Sequence, residues 1–558
     1  MMNLEDLEVQ NMEAGPPDEP PGNLASPDPE PKSDTRPVVK IGEFFETVEA
    51  ALDILPLSDN LFQRDGRLVR VVPIGEEEKS KHLPGKSVVI RDVGLSTLKE
   101  NLSRAARWER LDVRKKKWVL SAPSRDVTAA VHDHGSYRKV PTLIGIVEAP
   151  FLRPDGSICT TPGYDKKTGF LYHPNIDFPP VPKHPSEKQA RESWTQLVEV
   201  FEDFPFVDDT HLAVAISGIL TVLARPMLGN TPLGLCEAST RGTGKTLVND
   251  AVSVITTGRP IPKLGWPAGR DYAVELEKIL AAVAMDGSSL ICFDNLKVGA
   301  RLGGAALDSK LTANGPVKFR VLGKSETPEL IWKTVIFANG NNAVAAVQDE
   351  TKRRVIPCRM VPDCERPEER TDFKHPDLLR WVTEERGRLV VAALTVLRHW
   401  VVSGKEELAG AWGSFEEWVR VIPSSIIAAG GPNIMEARKL ITETDNEDDL
   451  AFVTLLETLC ERFIYGATSR EIIADADSNS VLREALDGVL DGDRNTRKLG
   501  SLLRGKKDRI LGGYKLTERT AKRHSATVWI VVASNNPPGS RDITNIHTAN
   551  EGIMLEGY

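Results

Sequence analysis

The chain has 558 residues, 41% hydrophobic and 27% charged, which is ordinary for a globular protein and too long for one core; two to four domains are expected. A formal net charge of −8 gives no global attraction to nucleic acid, so any such binding must come from locally basic surface. No apolar run approaches the ~20 residues of a membrane helix and no signal pattern opens the chain; six scattered cysteines without a CxxC pair argue against structural zinc, and a reducing cytoplasm is expected.

Residues 1–38 are rich in Pro, Asp and Glu, as in Pro16-Pro-Asp-Glu-Pro-Pro21, and predict a disordered acidic tail. Residues 39–185 predict a small α+β domain. Leu61 to Val72 alternates around an Asp65-Gly66 turn, and Phe151–Ile158 and Gly163–Tyr172 are further turn-centred hairpins. Val93 to Trp108 carries apolar residues at helical spacing. Beside it Arg104, Arg107, Arg110, Arg114 and Lys115-Lys-Lys117 cluster with Trp108 and Trp118; a solvated helix face is favoured over a nucleic-acid contact. From Trp194 to Leu228 the pattern is helical, broken by a loop at Phe204-Pro-Phe-Val207.

The centre of the chain is Gly234-Leu-Cys-Glu-Ala-Ser-Thr-Arg-Gly-Thr-Gly-Lys-Thr246, followed by apolar residues at helical spacing. Strand, glycine loop and helix in that order are what a phosphate cradle requires: backbone N–H groups and the helix N-terminus meet the anion, and a lysine reaches its outer oxygens. Ser239, Thr240, Arg241, Gly242, Thr243, Gly244, Lys245, Thr246 and Leu247 are the candidate nucleotide-binding residues, with the Thr246 hydroxyl directed to Mg²⁺. The usual pattern begins with Gly where this chain has Ser239.

Ser288 to Asn295 is an apolar strand closing on Asp294, the candidate second holder of the Mg²⁺ shell. A third strand, Thr334 to Ala338, runs into Asn339-Gly-Asn-Asn342, where Asn341 or Asn339 can orient the attacking water or sense the γ-phosphate; a plain Asn-Gly turn is the alternative. Arg320 and Lys324 sit in a short strand-and-turn segment, either a loop tracking phosphates or an exposed edge. Residues 376–403 predict a helical lid. Residues 448–533 read as three helices (Ala451–Leu459, Thr468–Ala474, Thr496–Arg504) and a β-ribbon, the order of a winged helix. Its DNA-facing candidates are Arg497, Lys498, Lys515, Arg519, Lys522 and Arg523, although such a module can equally bind protein. Residues 534–558 predict a loose tail.

Taken together, Gly242-Thr-Gly-Lys-Thr246, Phe293-Asp-Asn295, Ala338-Asn-Gly-Asn-Asn342, Asp349 and Arg353-Arg354 resemble AAA+ ATPases of the superfamily 3 helicase type, in particular replication helicases and primase-helicases of phages and integrated mobile elements. The resemblance covers roughly residues 190–533. It implies an α/β fold: an AAA+ P-loop core over 190–445 behind an N-terminal α+β domain and ahead of a winged-helix-like domain. It also implies ATP and Mg²⁺ as cofactors, a homo-hexameric ring, single-stranded or forked DNA as partner, and a separate primase or polymerase, since no primase site is found upstream. Arg353 or Arg354 would be a finger for the neighbouring subunit's ATP, with a solvated helix face as the alternative. Members usually carry an acidic base after the strand aspartate. Here Asn295 stands in that place and, being neutral, cannot abstract a proton, which leaves the base unidentified. An ATP-hydrolysing initiator or loader that does not unwind, and a nucleotide-gated DNA-binding protein, are the two rival functions.

Overall fold

The computed structural model describes residues 34–74, 87–269, 271–296, 301–320, 327–341, 343–364, 366–490, 492–508, 510–519 and 527–533. The chain divides into two units, Met1–Asp59 with Gly94–His134 and Asn60–Val93 with Gly135–Tyr558, so the region 39–185 expected as one domain is shared between them.

In the first unit, strand Val38–Ile41 runs parallel to Arg107–Asp112, which pairs antiparallel with Lys117–Ser121. Helices Phe44–Ile54, Leu95–Ala105 and Arg125–His132 accompany this sheet and bury Val48, Leu98, Leu102 and Val131 with its Val39 and Trp108. The helix expected to reach Trp108 ends at Ala105. From Arg107 the chain is a strand in which Trp108 alone is buried, and its indole N–H donates back to the Leu102 carbonyl at 2.8 Å. The basic residues therefore lie on a β-ribbon, with only Arg104 on a helix, which corrects the helix-face reading.

The second unit opens with the predicted hairpin, Phe62–Arg64 against Arg67–Pro73, closed by Asp65 at φ 47° and Gly66 at φ 70°. The turn-centred pairs Phe151–Leu152 with Ile158–Cys159 and Gly163–Asp165 with Phe170–Tyr172 follow as expected. Two helices lead into the main sheet, α1 (Glu187–Glu199) and α2 (Asp209–Ala224). Ser186 and Gln189 close a capping box on α1, and Asp208 caps α2 by accepting from the His211 N–H. Because α2 is apolar almost all round, it is buried all round.

The main sheet has five parallel strands: β1 (Leu233–Ala238), β2 (Lys263–Gly265), β3 (Leu290–Leu296), β4 (Val335–Asn341) and β5 (Val355–Met360), in the order β2-β3-β4-β1-β5. The central strands are continuous apolar runs because helices cover the sheet. Between β1 and β2 lies α3 (Lys245–Thr257), and between β2 and β3 lies α4 (Tyr272–Asp286). A β-ribbon, Pro316–Lys318 with Glu329–Ile331, is inserted between β3 and β4. The 25-residue α5 (Leu378–Val402) does not stand apart as a lid: it packs on α1 and α3, and Leu389, Val390, Ala393, Leu394, Leu397 and Trp400 join the sheet's own core.

A separate core holds the C-terminal residues, built from Phe452, Leu456, Leu486, Leu503, Leu516, Trp529 and neighbours. Its helices are Lys439–Arg462, Ser469–Ala476, Ser480–Leu490 and Thr496–Gly505, one more than expected. Its sheet follows the order Ala467–Thr468, Val528–Ala533, Tyr514–Glu518, Ile510–Leu511. The first helix runs unbroken through residues 445–448, where a domain boundary was expected.

Candidate functional site

The strand order decides what meets at the carboxyl ends of the strands. β4 lies between β1, which feeds the glycine loop, and β3, which carries Asp294. In register, Cys236 of β1 pairs with Asn339 of β4, and Phe293 of β3 pairs with Ala338. Asn339 is therefore placed between the loop and the acidic strand.

The loop itself needs its glycines. Gly242 has φ 78° and Gly244 has φ 87°, left-handed values that a side chain disfavours, and a Cβ on Gly244 would strike the Phe204 ring. Gly244 opens α3, whose first residue is Lys245. The Lys245 ammonium folds back into the loop, donating to the Thr240 carbonyl at 3.0 Å and the Thr243 hydroxyl at 3.1 Å. Burial lowers its pKa from the ordinary lysine value, only partly opposed by the nearby Cys236 and Glu237.

Next to it runs a chain of polar contacts. The Thr246 hydroxyl donates to Asp294 Oδ1 at 3.2 Å and accepts from Asn339 Nδ2 at 3.4 Å. Asn339 Oδ1 accepts from the Asn295 backbone N–H at 2.8 Å. Asn295 has φ 56° and sits where the β3–β4 register shifts, so the backbone turns immediately after Asp294. Of the two candidate amides, Asn339 is joined to the loop helix and the acidic strand; Asn341 lies two residues farther on and its Oδ1 is buried without a hydrogen bond. A hydroxyl and a carboxylate about one coordination shell apart are hard oxygen donors of the kind Mg²⁺ takes while keeping several waters, so Thr246 and Asp294 fit that ion.

Sequence reasoning missed a cavity of about 200 Å³ beside the loop. Phe204, Pro205, Leu247, Pro367 and Phe373 line it with Gly244, and Asp203, Glu368, Arg370 and His375 add polar groups. Three separated segments form its walls, so no local pattern marks it; the Phe204-Pro-Phe-Val207 loop was the one available signal. The Glu368 carboxylate lies against Gly242, over the loop.

The remaining candidates lie elsewhere. The Leu233 N–H donates to the Arg354 carbonyl at 3.0 Å, so Arg353 and Arg354 flank the start of β1, about 17 Å of strand from the glycine loop. Arg354 is largely buried, 3.6 Å from Asp308 and donating to the Glu350 carbonyl; Arg353 is exposed and paired with Glu350. Arg320 is exposed just beyond the inserted ribbon, whose base is anchored by Phe319 against Trp332; Lys324 lies outside the described residues. Arg497 and Lys498 lie on the exposed side of the last helix, with Lys498 donating to the Leu490 carbonyl at 2.7 Å. Lys515 lies 3.7 Å from Asp508, Arg519 is exposed, and Lys522 and Arg523 lie outside the described residues. Among the described residues no helix is long and apolar enough to cross a membrane, and no group of three or more His, Cys, Asp or Glu could hold a metal ion.

No family model and no curated protein matches the chain. Among solved structures it is similar to the apo C-terminal region of NrS-1, at 12% identity and a TM-score of 0.31, with 79% of this chain and 99% of that one covered. It is also similar to the JCV helicase bound to a thiazolopyridine acetamide, at 12% identity and a TM-score of 0.20, with 44% of this chain and 67% of that one covered.

Proposed function

We propose that the chain is an ATP-driven motor on DNA, a helicase or translocase of the AAA+ superfamily 3 type from a phage or mobile element, working as a homo-hexameric ring. The observation that carries this reading is the hydrogen-bonded chain Asp294–Thr246–Asn339–Asn295 laid against a loop whose lysine is folded inward. Phosphates entering the loop take over the Lys245 ammonium from Thr240 and Thr243, and the base of the nucleotide enters the apolar cavity between Phe204 and Phe373. Thr246 and Asp294 would hold Mg²⁺, whose charge neutralises the phosphates during transfer. Asn339, fixed at both ends, positions the attacking water or reads the γ-phosphate. Arg353, exposed at the far end of the sheet, reaches the ATP of the next subunit.

DNA meets Arg320, just beyond the inserted ribbon, and Lys324. It also meets the C-terminal helices and sheet, read as a winged helix, through Arg497, Lys498, Lys515, Arg519, Lys522 and Arg523. Asn295 supports a second reading, since a neutral amide where a base is usual suits a loader or nucleotide-gated DNA-binding protein with slow or no hydrolysis. Phosphate release with and without single-stranded DNA, followed by strand displacement on a fork, tests both. DNA-stimulated hydrolysis with displacement supports the motor, hydrolysis without displacement supports the loader, and no hydrolysis overturns both in favour of the gated binder.

A further inference from the structure

The three-stranded sheet of the first unit has one face covered by helices and one left bare. On the bare face the register sets Leu111 opposite Trp118 and Glu109 opposite Leu120, with Val38 and Lys40 on the outer strand. Trp118 is 41% exposed and Leu120 70%, on an edge strand of the sheet, and with Leu111 on the middle strand at 47% they make a contiguous exposed apolar patch. The Lys40 ammonium stands 5.0 Å from the Trp118 ring centroid, and Arg107 lies two residues before Glu109, pairing with it at 3.1 Å. The strands are joined by Arg114-Lys115-Lys116-Lys117, a turn ordered by Asp112 Oδ1, which accepts from the Arg114 and Lys115 N–H groups at 3.0 and 3.1 Å. In a chain of net charge −8, this places Lys40 beside the exposed indole and four further cations, Arg114 to Lys117, in the residues that lead into it.

We infer that this face is a stacking platform for single-stranded nucleic acid, deepening the motor reading by giving it a second DNA contact outside the ATPase core. Protein interfaces are depleted in lysine at their centre, whereas here Lys40 stands against the indole and three more lysines lead into its strand. Two strand spacings, about 10 Å, give a flat area suited to one or two unpaired bases, and bases in a duplex do not expose their faces. An exposed cation–π contact is weak, so a base displaces Lys40 from the indole and its ammonium passes to a phosphate.

The test uses the full chain, a labelled oligothymidylate as probe, and basal ATP hydrolysis measured in parallel. Trp118→Ala is expected to weaken binding about 5- to 100-fold, and Trp118→Phe to restore most of it. Replacing Lys115, Lys116 and Lys117 by Gln should flatten the slope of log affinity against log salt by about 0.7 for each phosphate no longer neutralised, an independent check if Trp118→Ala melts early. Unchanged affinity and slope in a parent that hydrolyses ATP would overturn the platform and leave the motor standing. Weakened binding in a parent without hydrolysis would support the platform while removing the motor. Loss of self-association with DNA affinity intact would make the face a contact between copies and overturn the proposal.

Discussion

Replacing Asn339 with alanine removes an amide that is 1% exposed, accepts from the Asn295 N–H at 2.8 Å and donates to Thr246 at 3.4 Å. The stranded Asn295 donor costs about 1–3 kcal/mol, which for a domain of this size lowers Tm by roughly 2–10 °C. The catalytic loss is larger: removing one positioned polar group from a charge-stabilising site slows turnover about 10²- to 10³-fold. Asn339→Asp changes the balance. It keeps an acceptor for the Asn295 N–H, but it cannot donate to Thr246 and buries a negative charge near Asp294, so Tm falls through charge burial rather than through a stranded donor, and turnover falls as well. Phosphate release at saturating ATP, nucleotide affinity by a fluorescent analogue, and thermal melting give the three readouts. If both variants hydrolyse ATP at the parental rate, Asn339 has no part in the reaction and the proposed site loses its central member.

Lys245→Ala should abolish hydrolysis with the fold intact, a loss on the order of 3–4 kcal/mol of transition-state stabilisation, checked by phosphate release and circular dichroism. Burial lowers the Lys245 pKa before nucleotide arrives and phosphates raise it, so binding takes up a proton and ATP affinity falls as pH rises through the lowered value; affinity flat at alkaline pH would contradict this. Arg353→Ala should bind nucleotide without turning it over, and mixing it with Lys245→Ala should restore part of the activity, because an intact loop in one subunit is completed by an intact finger from its neighbour; mixed rings no more active than their parents would refute a finger in trans. Glu368→Gln should tighten ATP binding severalfold by removing a carboxylate from beside Gly242, and unchanged affinity would show that Glu368 swings clear at no cost.

The shape of the glycine loop was legible because glycines at 242 and 244 permit the left-handed turn that leads from β1 into α3. Asp294 was legible because an apolar run ends on a charge. Asn339 and Asn341 could not be told apart, since a period of two puts both on the same face and only the register with β1 shows which one reaches Thr246. The cavity walls were hidden because Phe204, Leu247 and Phe373 meet only after folding. The ribbon around Trp118 was misread because Trp108 also fits a helical spacing, and its burial against Leu102 is a tertiary contact that spacing alone does not reveal. Helix α5 looked like a lid because its apolar stripe is strong, but the sequence does not say that the stripe faces the core of the sheet.

The helix from Lys439 to Arg462 is the shaft on which the C-terminal module is mounted. Twenty-four residues at 1.5 Å each make it about 36 Å long, in one unbroken run. A shaft has no slack: a tilt of a few degrees where Ile441 enters the core of the main sheet swings the far end by about 2–3 Å, and a twist arrives undiminished. It also has a phase. One residue added along it would turn the mounted module by about 100° and advance it 1.5 Å, while seven, close to two full turns, would almost restore its heading. Spacing along this helix is thus a gear setting, and the direction in which the module faces is written in the residue count.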